Sequence, residues 1–387
     1  MNTPSQRKKL PVNPSLEHLQ KQAKRRAKQD SNLTLAAAQH QLAQEYGCKT
    51  WAELARMVAA MSRRHDRPPV NGERYTPLPK AARYGGIEDV RPLLDSGDFT
   101  PHELDQALAH ALWYSGPTRP WSMRRALADL FLEHGADPDG QYGSGGSGPI
   151  IFGTGEVVDP DALQYLIDAG ADVTAPPVAT KYGPQCPLGG ILGTYVRGKN
   201  EAKHRYVELL LQHHAWIPPA VTPPILAIHR GDAAQLGQLI AVDPALLHRQ
   251  FPGMPYGNLE LRGATLLHCA VEFGEDDCIE ELLRRGAEIN QPAAVIRGVG
   301  GQTPIFHAIA TNCFGGLPTL EYLARRAGPA INMSVRATWR RFGEVQRTPL
   351  TPQEFAAQAA QGGEARWQAK VAEEAALLEE LARTSKP

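Results

Sequence analysis

Apolar positions in this chain come in short helical stripes broken by glycine, and the clearest example runs from Gly263 to Asn290. Leu267, Ala270 and Val271 fall on one face of a short helix that Thr265 is placed to cap and Gly274 to stop. Ile279, Leu282 and Leu283 form the matching stripe of a second helix, which ends at Gly286, where a left-handed backbone costs little. Ala287, Glu288, Ile289 and Asn290 then lead out in an extended finger. Neither helix can bury its stripe alone, so the unit predicts a stack of like units.

Related pieces recur along the chain. TPLPKAARYGGIEDVRPLL starts at Thr76, TPPILAIHRGDAAQLGQLI at Thr222 and QTPIFHAIA at Gln302, the last followed by LEYLARRAG and an exit at Ile331 and Asn332. Weaker copies end near Asp139, Val173 and Ile217. With a closing TPL unit at Thr348, the pattern predicts about seven repeats. The starts at Thr222, Thr265, Thr303 and Thr348 are more widely spaced than a unit of roughly 33 residues requires. Insertions in the connecting loops are therefore expected, at the Gly/Ser run from Gly143 to Gly148 and the proline-rich stretches around Pro176 and Pro218.

The TPLH-like start, the alanine-rich first helix, the central glycine, the VxxLL-like stretch and the GAD-like end resemble the ankyrin repeat. That resemblance implies an all-α fold: a solenoid of stacked helix-turn-helix units with extended hairpin loops and helical caps. It also implies that His268, at the histidine of the start motif, ties neighbouring loops by hydrogen bonds. Partners of such arrays contact the fingers and the exposed face of the first helices. Carried onto this sequence, that face would be offered by the residue pairs before each central glycine, namely Arg83 with Tyr84, His229 with Arg230, and Glu272 with Phe273. The less regular repeats would add Trp113 with Tyr114, and Ala310 with Thr311. Aromatic residues and arginine are enriched among interface anchors, which suits this assignment; the alternative is packing against an adjacent insertion, the preferred reading for Trp113, whose repeat is poorly defined.

Both ends read as caps for an otherwise exposed stack. Asn13 and Pro14 open a helix carrying Leu16, Leu19 and Ala23; Thr34 opens a second that ends at Gly47; Thr50 and Glu53 make a capping box for a third, with Trp51, Leu54 and Val58 inward. PSLEHLQKQAK followed by AQHQLAQEYGCKTWAEL is similar to the helical segment ahead of some bacterial ankyrin arrays. At the other end Thr351, Pro352 and Glu354 begin a helix, Gly362 and Gly363 interrupt it, and Trp367, Val371, Glu374, Leu378 and Leu381 share a face. The expected organisation is a helical segment at 1–61, a polar linker at 62–75, the array at 76–350 and a helical cap at 351–387.

Composition narrows the functional classes. The 387 residues carry 41 Lys plus Arg against 41 Asp plus Glu, a formal charge of zero, so the basic excess of a dedicated nucleic-acid binder is absent. Hydrophobic residues at 42% suffice for a folded chain. The five cysteines are scattered and none forms a CxxC pair, which argues against a disulfide framework or zinc knuckle. The basic start at Arg7, Lys8 and Lys9 meets prolines rather than an apolar run, and no apolar stretch is long enough to cross a bilayer. A cytoplasmic protein with reduced thiols is the expectation.

Candidate chemistry is thin. His213 and His214 are adjacent, about 100° apart on a helix, and share no metal. GSGGSG lacks the Gly-Lys-Ser/Thr of a phosphate loop, and FGTGE after Phe152 lacks the third glycine of a dinucleotide turn. No nucleophile elbow, HExxH or kinase signature occurs, and Glu275 to Asp277 read as a solvated helix start. No catalytic residue, metal or cofactor is assigned. The expected function is non-catalytic binding of another protein. The alternative is a regulatory module that binds nucleic acid or an acidic partner through the basic run Lys21, Lys24, Arg25, Arg26 and Lys28.

Overall fold

The computed structural model describes residues 16–29, 33–46, 48–55, 58, 77–97, 99–114, 119–142, 148–180, 183–198, 200–254, 259–312, 317–341, 344–360 and 365–384. The expected linker at 62–75 and the Gly/Ser run at 143–147 lie outside the described residues. The chain divides into two compact units, one of residues 1–150 with 166–171, the other of 151–165 with 172–387.

The first unit opens with α1 (Leu16–Gln29), α2 (Leu35–Glu45) and a short α3 at residues 51–55. Thr34 caps α2 by accepting the Ala37 amide, and Thr50 accepts the amide of Glu53 at 3.1 Å. The predicted inward residues Leu19, Ala23, Leu54 and Val58 join Ala38, Leu42, Ala43 and Cys48 in one apolar cluster. Next come α4 (Pro77–Tyr84) with α5 (Ile87–Ser96), and α6 (Pro101–Ala109), continued by a π turn at His110–Tyr114, with α7 (Trp121–Glu133). First helix packs on first helix and second on second, as α4 on α6 and α5 on α7. Thr100 and Glu103 form a capping box that starts α6.

In the second unit α8 (Ile151–Glu156) packs on α10 (Pro187–Leu192); α9 spans Pro160–Asp168, its residues from 166 belonging to the first unit. FGTGE, which the sequence reading gave no element, is part of helix α8. Its glycines lie buried, and Thr154 bonds the Tyr206 hydroxyl at 2.6 Å. β1 (Val178–Thr180) and β2 (Gly183–Gln185) form a small antiparallel hairpin before α10, which is followed by α11 (Asn200–Gln212). The more regular pairs come next: α12 (Pro223–His229) with α13 (Ala233–Val242), α14 (Leu266–Phe273) with α15 (Asp276–Arg284), and α16 (Pro304–Asn312) with α17 (Leu317–Ala327). Every residue of α14 is buried, because α12 and α16 flank it and α15 covers a third side.

Four second helices end in the same way. Gly135, Gly170 and Gly286 take left-handed conformations with φ of 96°, 102° and 99°. After α7, α9 and α15 the next amide, of Ala136, Ala171 or Ala287, reaches back at 2.9 Å to the carbonyl of Phe131, Leu166 or Leu282. After α11 the position is His214, at φ 58°, and Ala215 makes the equivalent bond to Leu210.

The closing unit differs from its expected start. Thr348, read as a repeat start, lies in β4 (Glu344–Leu350), which pairs antiparallel with β3 (Ala337–Arg341). The helix α18 (Pro352–Ala360) begins instead at Thr351, which accepts the Glu354 amide while Glu354 accepts the Thr351 amide. Trp339 from the hairpin packs edge-on against Phe355, 4.6 Å between ring centroids, so the hairpin is anchored to the stack. In α19 (Ala365–Thr384) Glu374, Leu378 and Leu381 are buried, as the shared face requires; the side chains of Trp367 and Val371 lie outside the described residues.

Candidate binding surface

The pre-glycine pairs do not form one exposed face. Tyr84 is 72% exposed, with the Arg83 guanidinium 5.2 Å from its ring centroid. Their mount is rigid, because Arg119 donates to the carbonyls of Ala82, Arg83 and Gly85 at 2.8, 3.0 and 2.9 Å and so closes the end of α4. Arg230 is half-buried and paired with Glu208, and it also donates to Gln235 at 3.0 Å.

Trp113, His229, Glu272 and Phe273 are corrected from surface to interior. Trp113 lies under Tyr142, 4.4 Å between centroids and edge-on, because the π turn that ends the first helix of its repeat rolls the indole inward. The side chains of Tyr114 and Thr311 lie outside the described residues, and Ala310 is buried. Phe273, 2% exposed, is overlaid by the His229 ring at 4.4 Å, the Arg197 guanidinium at 4.5 Å and the Lys203 ammonium at 4.3 Å. The cover is chain that the repeat pattern did not place: the turn between α10 and α11, and the first turn of α11.

This cover carries charge. Arg197 donates through Nε to the Glu272 carbonyl at 2.8 Å and through Nη2 to the Glu272 carboxylate at 2.7 Å, while Nη1 reaches the carbonyls of Thr194 and Val196. The other oxygen of Glu272 lies 2.8 Å from His307 Nδ1. Three residues on, Glu275 is held by Lys203 at 3.2 Å and by His204 at 2.8 Å, and Asn200 donates to the Gly274 carbonyl at 2.8 Å. Arg197, Lys203, Glu272, Glu275 and His307 are all buried. Burial alone would push the Glu275 carboxyl up, but Lys203 and His204 hold it below its ordinary value. Burial pushes the Lys203 ammonium down against the pull of Glu275. Opposite charges at this distance, closed from solvent, form a buckle that locks the turn before α11 onto the end of α14.

His268 works as the resemblance implied. The Thr265 amide donates to Nδ1 at 3.2 Å, which fixes Nδ1 as acceptor and leaves Nε2–H to donate to the Gln302 carbonyl at 2.9 Å in the next loop. Burial, with neighbouring His307, pushes its pKa down to about 3, so the ring is neutral.

That bond belongs to a pinned layer of fingers. Ala294 donates to Gly263 at 2.8 Å, Ala293 to Gln302 at 2.9 Å and Glu260 to Arg340 at 2.9 Å, while Gly300 and Thr338 exchange a pair of bonds. Only glycine suits position 300, with φ 139° and a Cβ that would lie 2.2 Å from the Ala294 carbonyl oxygen. Asn290 ties successive exits together by donating to Ala330 and accepting from Asn332.

The basic run on α1 is divided. Lys24, Arg25 and Lys28 are exposed with Lys21, but Arg26 folds onto α2 in a two-bond pair with Glu45 at 2.6 and 2.9 Å. Among the described residues no group of three or more His, Cys, Asp or Glu is placed to hold a metal ion, and no helix is long and apolar enough to cross a membrane.

Residues 262–294 match the family model described as ankyrin repeat, so the chain carries an ankyrin repeat centred on α14 and α15. Ankyrin repeats generally mediate protein–protein interaction. Among solved structures, the human ASB11 ankyrin repeat domain is similar at 17% identity over 66% of this chain and 100% of that one, with a TM-score of 0.37, too distant to locate a site. No curated protein matches the sequence. The residues of this buckle that the repeat pattern missed are Arg197, Lys203, His204, Glu275 and His307. One signal was readable: Lys203 falls on the stripe of α11 with Tyr206, Val207 and Leu210, and a lysine there needs a buried counter-charge.

Proposed function

We propose that this chain is a non-catalytic scaffold that binds another protein through its first-helix ends and fingers. The carrying observation is Tyr84: a large aromatic displayed to solvent beside Arg83, at the end of a helix whose last carbonyls are closed by Arg119. Aromatic and arginine side chains held in place lose little freedom on binding, the property of an interface anchor. In this reading residues 76–350 present the surface and the segments 1–61 and 351–387 close its ends, joined at the front by 62–75. A reducing cytoplasm suits it, since Cys48, Cys186, Cys269 and Cys278 are free buried thiols.

The test compares proteins captured by cross-linking from host extract on the wild-type chain, on Tyr84→Ala and on Phe273→Ala. Tyr84→Ala should lose the captured partner and keep its melting temperature, because a surface change costs within about 0.5 kcal/mol. Phe273→Ala should lower stability by about 3–5 kcal/mol, as expected for a buried phenylalanine. An unchanged captured set on Tyr84→Ala would refute the assignment of that anchor.

A further inference from the structure

A small cavity of about 50 Å³ lies within the finger layer, lined among others by Glu260, Arg262, Arg297, Gly300, Gln302 and Arg340. It draws on three successive fingers: the loop before α14, the loop before α16 and the hairpin before α18. Three guanidinium groups face one carboxylate. Glu260 is engaged by Arg262 at 3.0 Å on one oxygen and approached by Arg340 at 3.7 Å on the other, so its charge is answered within the site and positive charge remains. Arg297 is exposed at the rim, displayed by a left-handed backbone at φ 54°. Gln302 is buried in the wall; its Nε2 donates to the Glu260 carbonyl at 3.1 Å, and its Oε1 has no hydrogen-bond partner.

The cavity presents cationic donors for an anionic group, and the unpartnered Gln302 acceptor is enclosed in its wall. An acidic peptide supplies that anion as a side-chain carboxylate for the arginines. A phosphodiester supplies one too, but Trp339, the aromatic of the adjoining hairpin, is buried and offers no stacking face. The volume suits one carboxylate-sized group, not a nucleotide. A shallower groove of about 540 Å³, over Pro252, Met254 and Leu261, shares Glu260 and Arg262 with the cavity and gives a chain room to continue.

Resting on the scaffold reading above, we infer that this three-finger arginine cavity binds an acidic segment of a partner protein by taking one Asp or Glu side chain.

The probe is a fluorescein-labelled hexaglutamate peptide, followed by anisotropy with the full-length chain at low salt. Hexalysine, oligo(dT) and inorganic phosphate are run beside it. Hexaglutamate should bind, weaken as salt rises, and bind about tenfold more weakly to Arg297→Gly. Glycine at 297 accepts the left-handed backbone better than arginine does, and an unchanged melting temperature then assigns the loss to the missing guanidinium. Equal binding of oligo(dT), full displacement by phosphate, or indifference of hexaglutamate to Arg297→Gly overturns the inference. Tyr84→Ala separates the two readings: if host capture depends on Tyr84 while hexaglutamate fails to bind, the scaffold stands and the cavity assignment falls. If hexaglutamate binds through Arg297 and no host protein is captured, the cavity assignment stands alone.

Discussion

Replacing Arg197 by alanine would remove the guanidinium that joins the turn before α11 to the end of α14. The loss comprises two hydrogen bonds to Glu272, two to the carbonyls of Thr194 and Val196, and the stacking over Phe273. Glu272, fully buried, keeps the contact to His307 but loses the guanidinium that answers its charge. Breaking a buried pair by removing one partner costs about 3–5 kcal/mol, because the remaining charge stays desolvated. Against a total of roughly 5–15 kcal/mol for a folded domain, that is a large fraction. Urea titration followed by circular dichroism gives the number, with an unchanged slope marking a change in stability rather than in compactness. The paired replacement Arg197→Met with Glu272→Leu should recover most of the loss, since two apolar side chains leave no charge stranded; an Arg197→Lys variant should fall between. A cost below about 1 kcal/mol for Arg197→Ala, the value of an exposed ion pair, would refute the buckle.

Two other outcomes are expected. His214→Gly should raise stability by about 0.5–1 kcal/mol, because a left-handed histidine is strained where Gly135, Gly170 and Gly286 are not; a lower melting temperature would contradict this. Acid should destabilise the chain before carboxylates titrate. Burial holds His268 down at about 3 and His229 well below its ordinary value, so below pH ~6.5 the unfolded chain takes up protons that the native one refuses. Stability therefore falls as pH falls, by about 2 kcal/mol at pH 5 for His268 alone. The depressed Glu275 carboxyl adds its loss only at lower pH, below the usual carboxylate range. A urea midpoint that stays flat between pH 7.5 and 5 would count against the neutral buried histidines.

The helix pairs were legible because each leaves a local mark: a threonine start, an apolar stripe, a glycine where the chain turns left-handed. Even the irregular repeat ending at Ile217 kept the geometry when His214 replaced the glycine, since the reach of the Ala215 amide to the Leu210 carbonyl fixes the turn. Exposure was not legible at the same level. The pattern assigns Glu272 and Phe273 to the outward end of α14, and it does so correctly for an isolated repeat. What buries them is a turn some seventy residues earlier in the chain, as the Arg197–Glu272 separation of 75 shows. No period in a single repeat encodes that contact. Nor was α8 legible, because the small residues of FGTGE leave no apolar stripe until Tyr206 is seen bonded to Thr154.

The buried charges cross an intervening repeat. Arg197, in the turn between α10 and α11, and Asn200, Lys203 and His204 on α11 pass the central glycine of the α12–α13 pair and engage the Glu272–Glu275 stretch beyond it. Gly231 is the position crossed: it holds φ 64°, and a Cβ there would lie 2.3 Å from the His204 ring. The same glycine thus ends α12 and clears the path for α11. A side chain at 231 would strain its own turn and also push His204 and Lys203 away from Glu275, so the two costs are coupled through one residue. The tie from α11 to the end of α14 thus runs beyond nearest-neighbour repeats and passes through the space that a glycine at 231 leaves open.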